Sequence, residues 1–377
     1  MAQPIDVLLM TPPAGPSPAE RWVAEGRLAA ARDLVRRLRA SRWAGQVFVL
    51  SGESAEREVL RSDGAVPWQP SAQAFHFGRA LAAFVAERGP ERLAYFGGAS
   101  APLLDPSLLD PAIDGLQAAE SPSAWVNNYY STDWAVFNHA PRLMDIAEQL
   151  STDNPLGWVF SHEAGYAVRS FPPSAATRAD IDTSSDILLL AGHPYLGSCV
   201  REFLDRSPTG LLDKAESLRR VLLTPASTLT LIGRSSSHLW QSLERRTQIW
   251  VRLLVEERGM LASGRLARGE VRSLVGSFLD DWGPRRFVET LAAMSDAVLW
   301  DTRVWMASHG SWPSDADRFA ADLGWADQVQ DLRLRDLTQA IADVAIPIIT
   351  GGHGVVAGSV YALVETLQEE PLVEPHV

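Results

Sequence analysis

The alternation of short apolar runs with longer amphipathic segments most constrains the fold of this chain. Residues 5–10 form a short continuous apolar run, which is typical of a strand buried on both faces, and 46–52 and 92–98 are the second and third predicted strands. Segments with helical periodicity lie between them. This order predicts an α/β domain with a mainly parallel sheet and helices on both faces. Ligands of such sheets bind in the loops at the carboxyl ends of the strands.

The second half of the chain has a different pattern, because strand-like runs are scarce after residue 196. Apolar residues at helical spacing form two stripes, which are Leu239, Leu243, Trp250 and Leu254, and then Phe287, Leu291, Met294, Val298 and Trp305. The clearest strand-like run is 346–350. We therefore expect an α/β domain over 1–195 and a mostly helical domain over 196–377.

Composition limits the classes of partner. The net charge of −12 argues against a nucleic-acid polymer or an anionic membrane surface as the main partner. The chain has one cysteine, Cys199, which excludes an internal disulfide and a cysteine-based zinc cluster. The sequence has no membrane-length apolar run and no basic region before its first apolar run, so we expect a cytoplasmic protein. Its cations are arginines except for Lys214.

Two motifs carry a resemblance to a known family. The segment "ATRADIDTSSDILLLAGHP" (176–194) resembles the Asp-Ile-Asp-Thr-Pro-x-Asp-Leu motif of GT-A-fold nucleotidyltransferases, such as the molybdenum-cofactor guanylyltransferases and 2-phospholactate guanylyltransferases. The segment "RLAYFGGASAPLLDPSLLD" (92–110) is similar to their Gly-Gly-Asp-x-Pro-Leu-Leu strand end. The resemblance covers about 5–194. It implies a three-layer GT-A-like domain that binds a nucleoside triphosphate with Mg²⁺ and transfers a nucleotidyl group to a phosphorylated acceptor.

Carried over by position, the resemblance implies a nucleotide site and a metal site. The nucleotide-binding positions are in the loop after the first strand and in the later glycine turn: Gly15, Ser17, Arg21, Gly97, Gly98 and Ser100. The implied metal ligands are Asp180 and Asp182. Ala99 stands where the family has its first metal-binding aspartate. The first loop is rich in proline, which has no N–H to donate to phosphate, and it has no lysine.

Other acids compensate for Ala99 in one interpretation. Asp133, in "NNYYSTDW", is the preferred replacement metal ligand, and Asp105 is a second candidate. The alternative for Asp133 is a turn residue that bonds its own backbone. The alternative for Asp105 is an N-cap, because Pro106 follows at the first helical position. Asp180 and Asp182 have the alternative of a turn and helix cap.

Three stretches of the second half could hold an anion or an acceptor. "TGGHGV" places glycine N–H groups around His353, "GRSSSHLW" offers hydroxyls and His238, and 256–270 carries three arginines. The candidate residues are Arg258, Arg265, Arg268, His238, Gly351, Gly352 and His353. The alternatives are a tight turn, serine N-capping and a solvated loop, respectively.

These observations favour a degenerate nucleotidyltransferase-like protein that binds a nucleotide or a phosphorylated small molecule. Two alternatives stay open. The first is an active Mg²⁺-dependent nucleotidyltransferase with relocated carboxylates. The second is a scaffold or protein-interaction module without catalysis. The sequence does not decide the base, the acceptor, the catalytic residues or the oligomeric state, and a homodimer is compatible with it.

Overall fold

The computed structural model describes residues 4–70, 75–261 and 263–367. The chain divides into two compact units. The first unit contains 1–14, 27–177 and 197–200, and the second contains 15–26, 178–196 and 201–377. Within the described part of the chain, no helix is both long enough and apolar enough to cross a membrane.

The first unit is built on a seven-stranded sheet with the order β3-β2-β1-β4-β6-β5-β7. Its strands are β1 Ile5–Met10, β2 Ala44–Leu50, β3 Val66–Pro67, β4 Arg92–Gly97, β5 Ser123–Val126, β6 Trp134–Asn138 and β7 Ala167–Ser170. β6 runs antiparallel to both of its neighbours, and the other pairs are parallel. The predicted mainly parallel sheet is confirmed.

Helices cover both faces of this sheet. They are α1 Pro18–Ala40, which continues from the second unit into the first at Arg27, then α2 Ser54–Ser62, α3 Phe77–Arg88, α4 Asp110–Ala118, α5 Leu143–Ile146, α6 Leu156–His162 and α7 Ala175–Arg178. Alternate residues of β1 enter different cores. Val7 and Leu9 pack with α1 and α4, whereas Leu8 and Met10 pack with α3 and α6. The three-layer arrangement is therefore as predicted.

The second unit contains a parallel sheet of four strands with the order β11-β10-β8-β9. Its strands are β8 Thr228–Gly233, β9 Trp250–Val255, β10 Ala297–Asp301 and β11 Ile348–Gly351. Its helices are α8 Ser184–Leu189, α9 Ser198–Asp205, which belongs to this unit from Arg201 onward, α10 Asp213–Leu223, α11 Ser237–Arg246, α12 Leu274–Trp282, α13 Pro284–Met294, α14 Arg303–Ser308, α15 Asp315–Leu323, α16 Leu332–Ala342 and α17 Gly358–Thr366.

Helices supply most of the regular structure of the second half, as expected, but they surround a sheet that was not predicted. Trp250 and Leu254 lie in β9 and Val298 lies in β10, so neither predicted stripe is a single helical face. Leu239 and Leu243 do belong to one helix, α11. Helix α13 begins at Pro284, because proline fits the first position of a helix.

Candidate anion-binding site

The carboxyl edge of the first sheet is where the resemblance implies a nucleotide site. Its strand order reverses between β1 and β4, which is the usual place for a ligand in an open α/β sheet. Here the Gly98 N–H donates to the Met10 carbonyl at 2.6 Å. A Cβ on Gly98 would lie 3.0 Å from the Cα of Thr11, so the turns after the two strands are in contact. Only glycine allows this approach without a shift.

The turn after β4 is also closed on itself. The backbone N–H and the hydroxyl of Ser100 both donate to the Gly97 carbonyl, at 3.0 and 2.7 Å. Ala99 is only 8% exposed, and Ala101 is buried with a φ of 55°. The position of the missing aspartate therefore lies inside a packed turn. A charged carboxylate there would lose its hydration.

Asp133 lies beside this turn. Because β6 is antiparallel to β4, the residue that precedes β6 lies at the edge where β4 ends. The Gly97 N–H donates to the Asp133 carbonyl at 2.9 Å, and the Asn127 amide donates to the Asp133 carboxylate at 2.7 Å. Asp105, by contrast, caps the helical turn that starts at Pro106, because its carboxylate accepts the Ser107 N–H at 2.9 Å.

The predicted triphosphate loop forms the start of α1 instead of an open cradle. Ser17 N–H donates to the Glu20 carboxylate at 2.9 Å, and Glu20 N–H donates to the Ser17 hydroxyl at 3.1 Å. This reciprocal pair is a capping box. The Arg21 guanidinium donates to the Pro16 carbonyl at 2.5 Å, and a Cβ on Gly15 would overlap the Glu20 carboxylate. The nucleotide-binding role of these loop residues stays a prediction.

The Asp-Ile-Asp-Thr segment precedes α8. The Asp186 carboxylate accepts the N–H and hydroxyl of Thr183, at 2.7 and 2.8 Å, and the Ser359 hydroxyl at 3.0 Å. Burial, with a smaller contribution from Asp182, raises the pKa of Asp186 to about 7. Sequence analysis missed this acid, although Thr-x-x-Asp before an apolar run is a capping-box signal.

Asp180 accepts the Ile181 N–H at 2.9 Å. Asp180 and Asp182 both belong to the second unit, whereas Asp133 belongs to the first. Among the residues that the structure describes, no group of three or more histidine, cysteine, aspartate or glutamate side chains could hold a metal ion. The described residues therefore do not fit a complete Mg²⁺ site, and the metal role of these three aspartates stays a prediction.

The carboxyl edge of the second sheet brings four strand ends into one row. Gly233 pairs in register with Val255, and Asp301 pairs with Gly351. Trp300 is in register with Ile232, so Asp301 lies at the level of Gly233. The strand order reverses between β8 and β10 because β9 lies on one side of β8 and β10 on the other. By the rule for open parallel sheets, this is the expected ligand position.

An ion pair joins the two central strand ends. The Arg234 guanidinium donates to both Asp301 carboxylate oxygens, at 2.5 and 3.1 Å, and Asp301 is fully buried. Burial opposes the ionisation of Asp301, but the adjacent Arg234, with smaller contributions from His353 and Arg303, keeps its pKa below the ordinary value. The pair holds a charged arginine at the centre of the row.

His353, in the turn after β11, is influenced electrostatically by this pair and by Arg258. Burial, reinforced by Arg234 and Arg258 and opposed by Asp301 and Asp182, lowers the pKa of His353 to about 4. The imidazole is therefore neutral at pH 7 and carries one donor and one acceptor nitrogen. Arg258 is exposed, and within the described ranges it forms neither a hydrogen bond nor a salt bridge.

The N-terminus of α11 completes the cluster. Ser236 caps this ten-residue helix through the Leu239 N–H. Burial raises the pKa of the Tyr361 phenol, and both Ser236 and Arg258 act in the opposite direction. Tyr361 is therefore influenced by the start of α11 and by Arg258. Ser235 is 1% exposed, and its hydroxyl oxygen has no partner in the described part of the chain. A buried hydroxyl without a partner is costly and needs an explanation.

The other predicted anion ligands differ in availability. Arg265 pairs with the Glu257 carboxylate and Arg268 pairs with the Glu270 carboxylate, both at 2.8 Å. His238 is exposed in the first turn of α11. Gly351 and Gly352 are buried, and a Cβ on either would lie 3.2 Å from Thr183. Sequence analysis missed Arg234 and Asp301 and counted Ser235 only among the hydroxyls of 233–240. The signal for all three was the undetected carboxyl ends of β8 and β10.

Comparisons with known proteins give little beyond this geometry. No protein-family model and no curated protein matches the sequence. The structure is similar to a cytidylyltransferase from Leptospira borgpetersenii serovar Hardjo-bovis, with 14% identity, 54% of this chain and 93% of that chain covered, and a TM-score of 0.41. A putative nucleotide-diphospho-sugar transferase from Desulfovibrio desulfuricans G20 has 13% identity, coverages of 53% and 94%, and a TM-score of 0.40. Such scores assign neither a family nor an activity.

Proposed function

We propose that the protein binds a phosphorylated small molecule, nucleotides included, at the carboxyl edge of its second sheet. The anion-binding cluster consists of Arg234, Ser235, Arg258 and His353 together with the N-terminus of α11. These residues lie at the ends of neighbouring strands or in the turns that follow them. The chemistry of the cluster suits a phosphate better than a carboxylate, because it offers several separate donors to a group with several oxygens.

Each donor has a distinct contribution. The Arg258 guanidinium supplies a planar set of N–H groups that matches phosphate oxygens in a bidentate manner. The neutral His353 ring supplies one N–H, and Ser235 supplies a hydroxyl. The first turn of α11 supplies backbone N–H groups and the positive end of the helix dipole. The Arg234 Nε and Nη2 groups donate to Asp301, which holds the Arg234 guanidinium at the edge of the sheet.

The observation that carries the proposal is the state of Arg258. The neighbouring arginines of this region, Arg234 and Arg265, are each paired with an acid, whereas Arg258 has no partner among the described residues and acts on His353. The unpaired Arg258, the uncharged His353 and the unpartnered Ser235 hydroxyl follow strands of the same sheet and leave donors in excess at its carboxyl edge. A multivalent anion would satisfy them.

The test is calorimetric titration of inorganic pyrophosphate and phosphate into the unmodified chain and its variants. Loss of a charge-assisted contact costs about 1.5–3 kcal/mol, so we expect Arg258→Ala to weaken binding by about 10- to 100-fold. Arg258→Lys should recover part of the loss. Arg285, an exposed arginine with one i,i+4 acidic partner, provides the matched control Arg285→Ala, which should bind normally. Arg265→Ala should have a smaller effect than Arg258→Ala, because Arg265 already has an acidic partner.

Ser235→Ala gives an independent result. Removing an unpaired buried hydroxyl should leave the ligand-free protein as stable as before or slightly more stable, while pyrophosphate binding weakens. A purely structural serine would show the reverse, with lower stability and unchanged binding. Equal pyrophosphate affinity in the unmodified chain, Arg258→Ala and Ser235→Ala would contradict the proposal.

One observation favours a second candidate, metal-dependent nucleotidyl transfer of the kind found in the guanylyltransferases that the sequence resembles. Asp133 lies at the turn that lacks the expected acid, as its carbonyl accepts the Gly97 N–H. That candidate requires nucleotide binding to depend on Mg²⁺ and on Asp133. The first candidate requires neither.

A further inference from the structure

A cavity of about 60 Å³ lies along the outer edge of β11 in the second unit. Four helices surround it, and it lies beside Ser185 of α8, Lys214 of α10, Asp322 of α15 and Thr338 of α16. A water molecule occupies roughly 10–15 Å³ on this measure, so the cavity has room for roughly four to six small groups. It shares no lining residue with the anion-binding cluster.

The backbone of β11 exposes unpaired groups to this side. Val298 N–H donates to the Pro347 carbonyl and Thr302 N–H donates to the Gly351 carbonyl. In a parallel ladder alternate residues bond to one neighbour, so the N–H groups of Ile348 and Thr350 point away from β10. The Thr350 carbonyl accepts the Ser185 hydroxyl at 2.6 Å, but neither of these two N–H groups has a partner within the described residues.

The two β11 residues with unpaired N–H groups are buried, so these donors are expected to have a partner that is not part of the protein. Ile348 is 1% exposed and Thr350 is 7% exposed. Buried backbone donors are almost always satisfied by protein, water or ligand. The cavity next to them is the available space for an acceptor.

The charged side chains at the cavity indicate whether the group that accepts these hydrogen bonds is an anion. Lys214 is the only lysine of the chain, lies exposed at the cavity rim and forms no salt bridge with a described residue. Asp322 is neutralised by Arg303, which donates to both of its oxygens at 2.6 and 2.9 Å. The net local charge therefore favours an anion. The remaining lining is apolar and includes Leu188, Leu211, Ile341 and Ile349.

We infer that this cavity binds a small aliphatic carboxylate. Its carboxylate oxygens would accept the two β11 N–H groups and face Lys214, and its branched or short alkyl group would lie against the leucine and isoleucine side chains. A phosphate would leave the apolar lining uncovered, and a longer acyl chain would exceed the volume. The site is separate from the proposed phosphate site and does not depend on it.

The experiment uses isobutyrate as the probe, with the neutral isobutyramide and the cationic isopropylamine as comparisons. We expect calorimetry to show isobutyrate binding about tenfold or more tighter than isobutyramide, and no binding of isopropylamine. Lys214→Met, which keeps the length of the side chain, should remove this preference. Arg220→Met, on the same helix and exposed, is the matched control and should retain it. Arg258→Ala should also retain isobutyrate binding, which separates this inference from the proposed function.

A second measurement needs no variant. Because the chain has one lysine, acylation of Lys214 by an amine-reactive reagent can be followed by peptide mass, separately from the α-amino group. Isobutyrate should slow this acylation, and phosphate at equal concentration should not. Equal acylation rates with and without isobutyrate, equal affinity for isobutyrate and isobutyramide, or detection of water alone in the cavity would overturn the inference.

Discussion

The two sheets of this protein reverse their strand order in the same way, yet their carboxyl edges differ in how many donors remain free. At the first edge the turn after β4 bonds to itself and to the end of β1 through Ser100 and Gly98. At the second edge Arg258 and the Ser235 hydroxyl have no partner among the described residues. The same topology thus supports a packed turn in one unit and a cluster of available donors in the other.

This difference shows why a strand-end motif does not by itself locate a ligand site. The first edge carries the sequence motif, but the acid position is occupied by the buried Ala99. At the second edge only "TGGHGV" followed a strand-like run of the sequence (346–350), and the ends of β8, β9 and β10 were not recognised. What distinguishes it physically is a buried ion pair, Arg234–Asp301, surrounded by groups that a polyanion would satisfy.

The largest expected effect comes from breaking that ion pair. Asp301→Asn leaves Arg234 without a counter-charge at a buried site, and we expect it to lower the free energy of unfolding of the second unit by about 3–5 kcal/mol. Asp133→Asn, at the first edge, removes charge from a half-buried carboxylate that accepts an amide, and should cost about 1 kcal/mol. Urea unfolding of both variants gives the comparison.

A double variant tests the cause. Arg234→Met with Asp301→Leu removes both charges and should recover most of the stability lost in Asp301→Asn, because no buried charge is left unpaired. If Asp301→Asn and Asp133→Asn lowered the free energy of unfolding by equal amounts, a buried ion pair would not distinguish the two edges.

A smaller effect, of roughly 2–4 kcal/mol, should appear in the pH dependence of stability of the second unit when one of two buried titratable groups is replaced. The folded pKa of Asp186 is raised to about 7, so its contribution is present at about pH 4 and is lost as the pH rises to about 7. The folded pKa of His353 is lowered to about 4, so its contribution is present above about pH 6.5 and is lost as the pH falls to about 4. In the unmodified chain the two contributions oppose each other.

Single variants should reveal each contribution. In Asp186→Asn, stability should rise as the pH increases from 4 to 6.5, because only the histidine contribution remains. In His353→Gln, stability should fall over the same interval. Thermal unfolding in a series of buffers measures both slopes. Slopes of equal sign in the two variants would contradict this assignment of charges.

Much of the first unit could be predicted from its sequence because local and global signals agree there. The strand predicted over 5–10 is β1, Ile5–Met10, and both of its boundaries agree with the prediction. The antiparallel β6 was not foreseen, because the sequence of the connection 127–133 does not encode the direction of the strand that follows it. The second sheet was missed for a related reason. The apolar residues of β9 and β10 continue the helical spacing of α11 and α13. The spacing of apolar residues alone therefore predicted helix where the structure has strands.

The candidate site was predictable only in part. Arg258 and His353 were both selected as anion ligands, and Arg258 contributes to the lowered pKa of His353 in the structure. Arg265 and Arg268 were selected on the same grounds, but local glutamates pair with them. The pairing of Arg234 with Asp301 joins residues 67 positions apart, and a single sequence holds no signal for such a contact before the sheet is known.

The central claim is that the free donors of the second edge, rather than a metal site at the first, bind the phosphorylated ligand. Calorimetric titration of GTP and CTP, with and without Mg²⁺, into the unmodified chain, Arg258→Ala and Asp133→Ala tests it most directly. The account predicts binding that persists without Mg²⁺, is weakened about 10- to 100-fold in Arg258→Ala and is unchanged in Asp133→Ala. Nucleotide binding that requires Mg²⁺, disappears in Asp133→Ala and is unaffected in Arg258→Ala would contradict it.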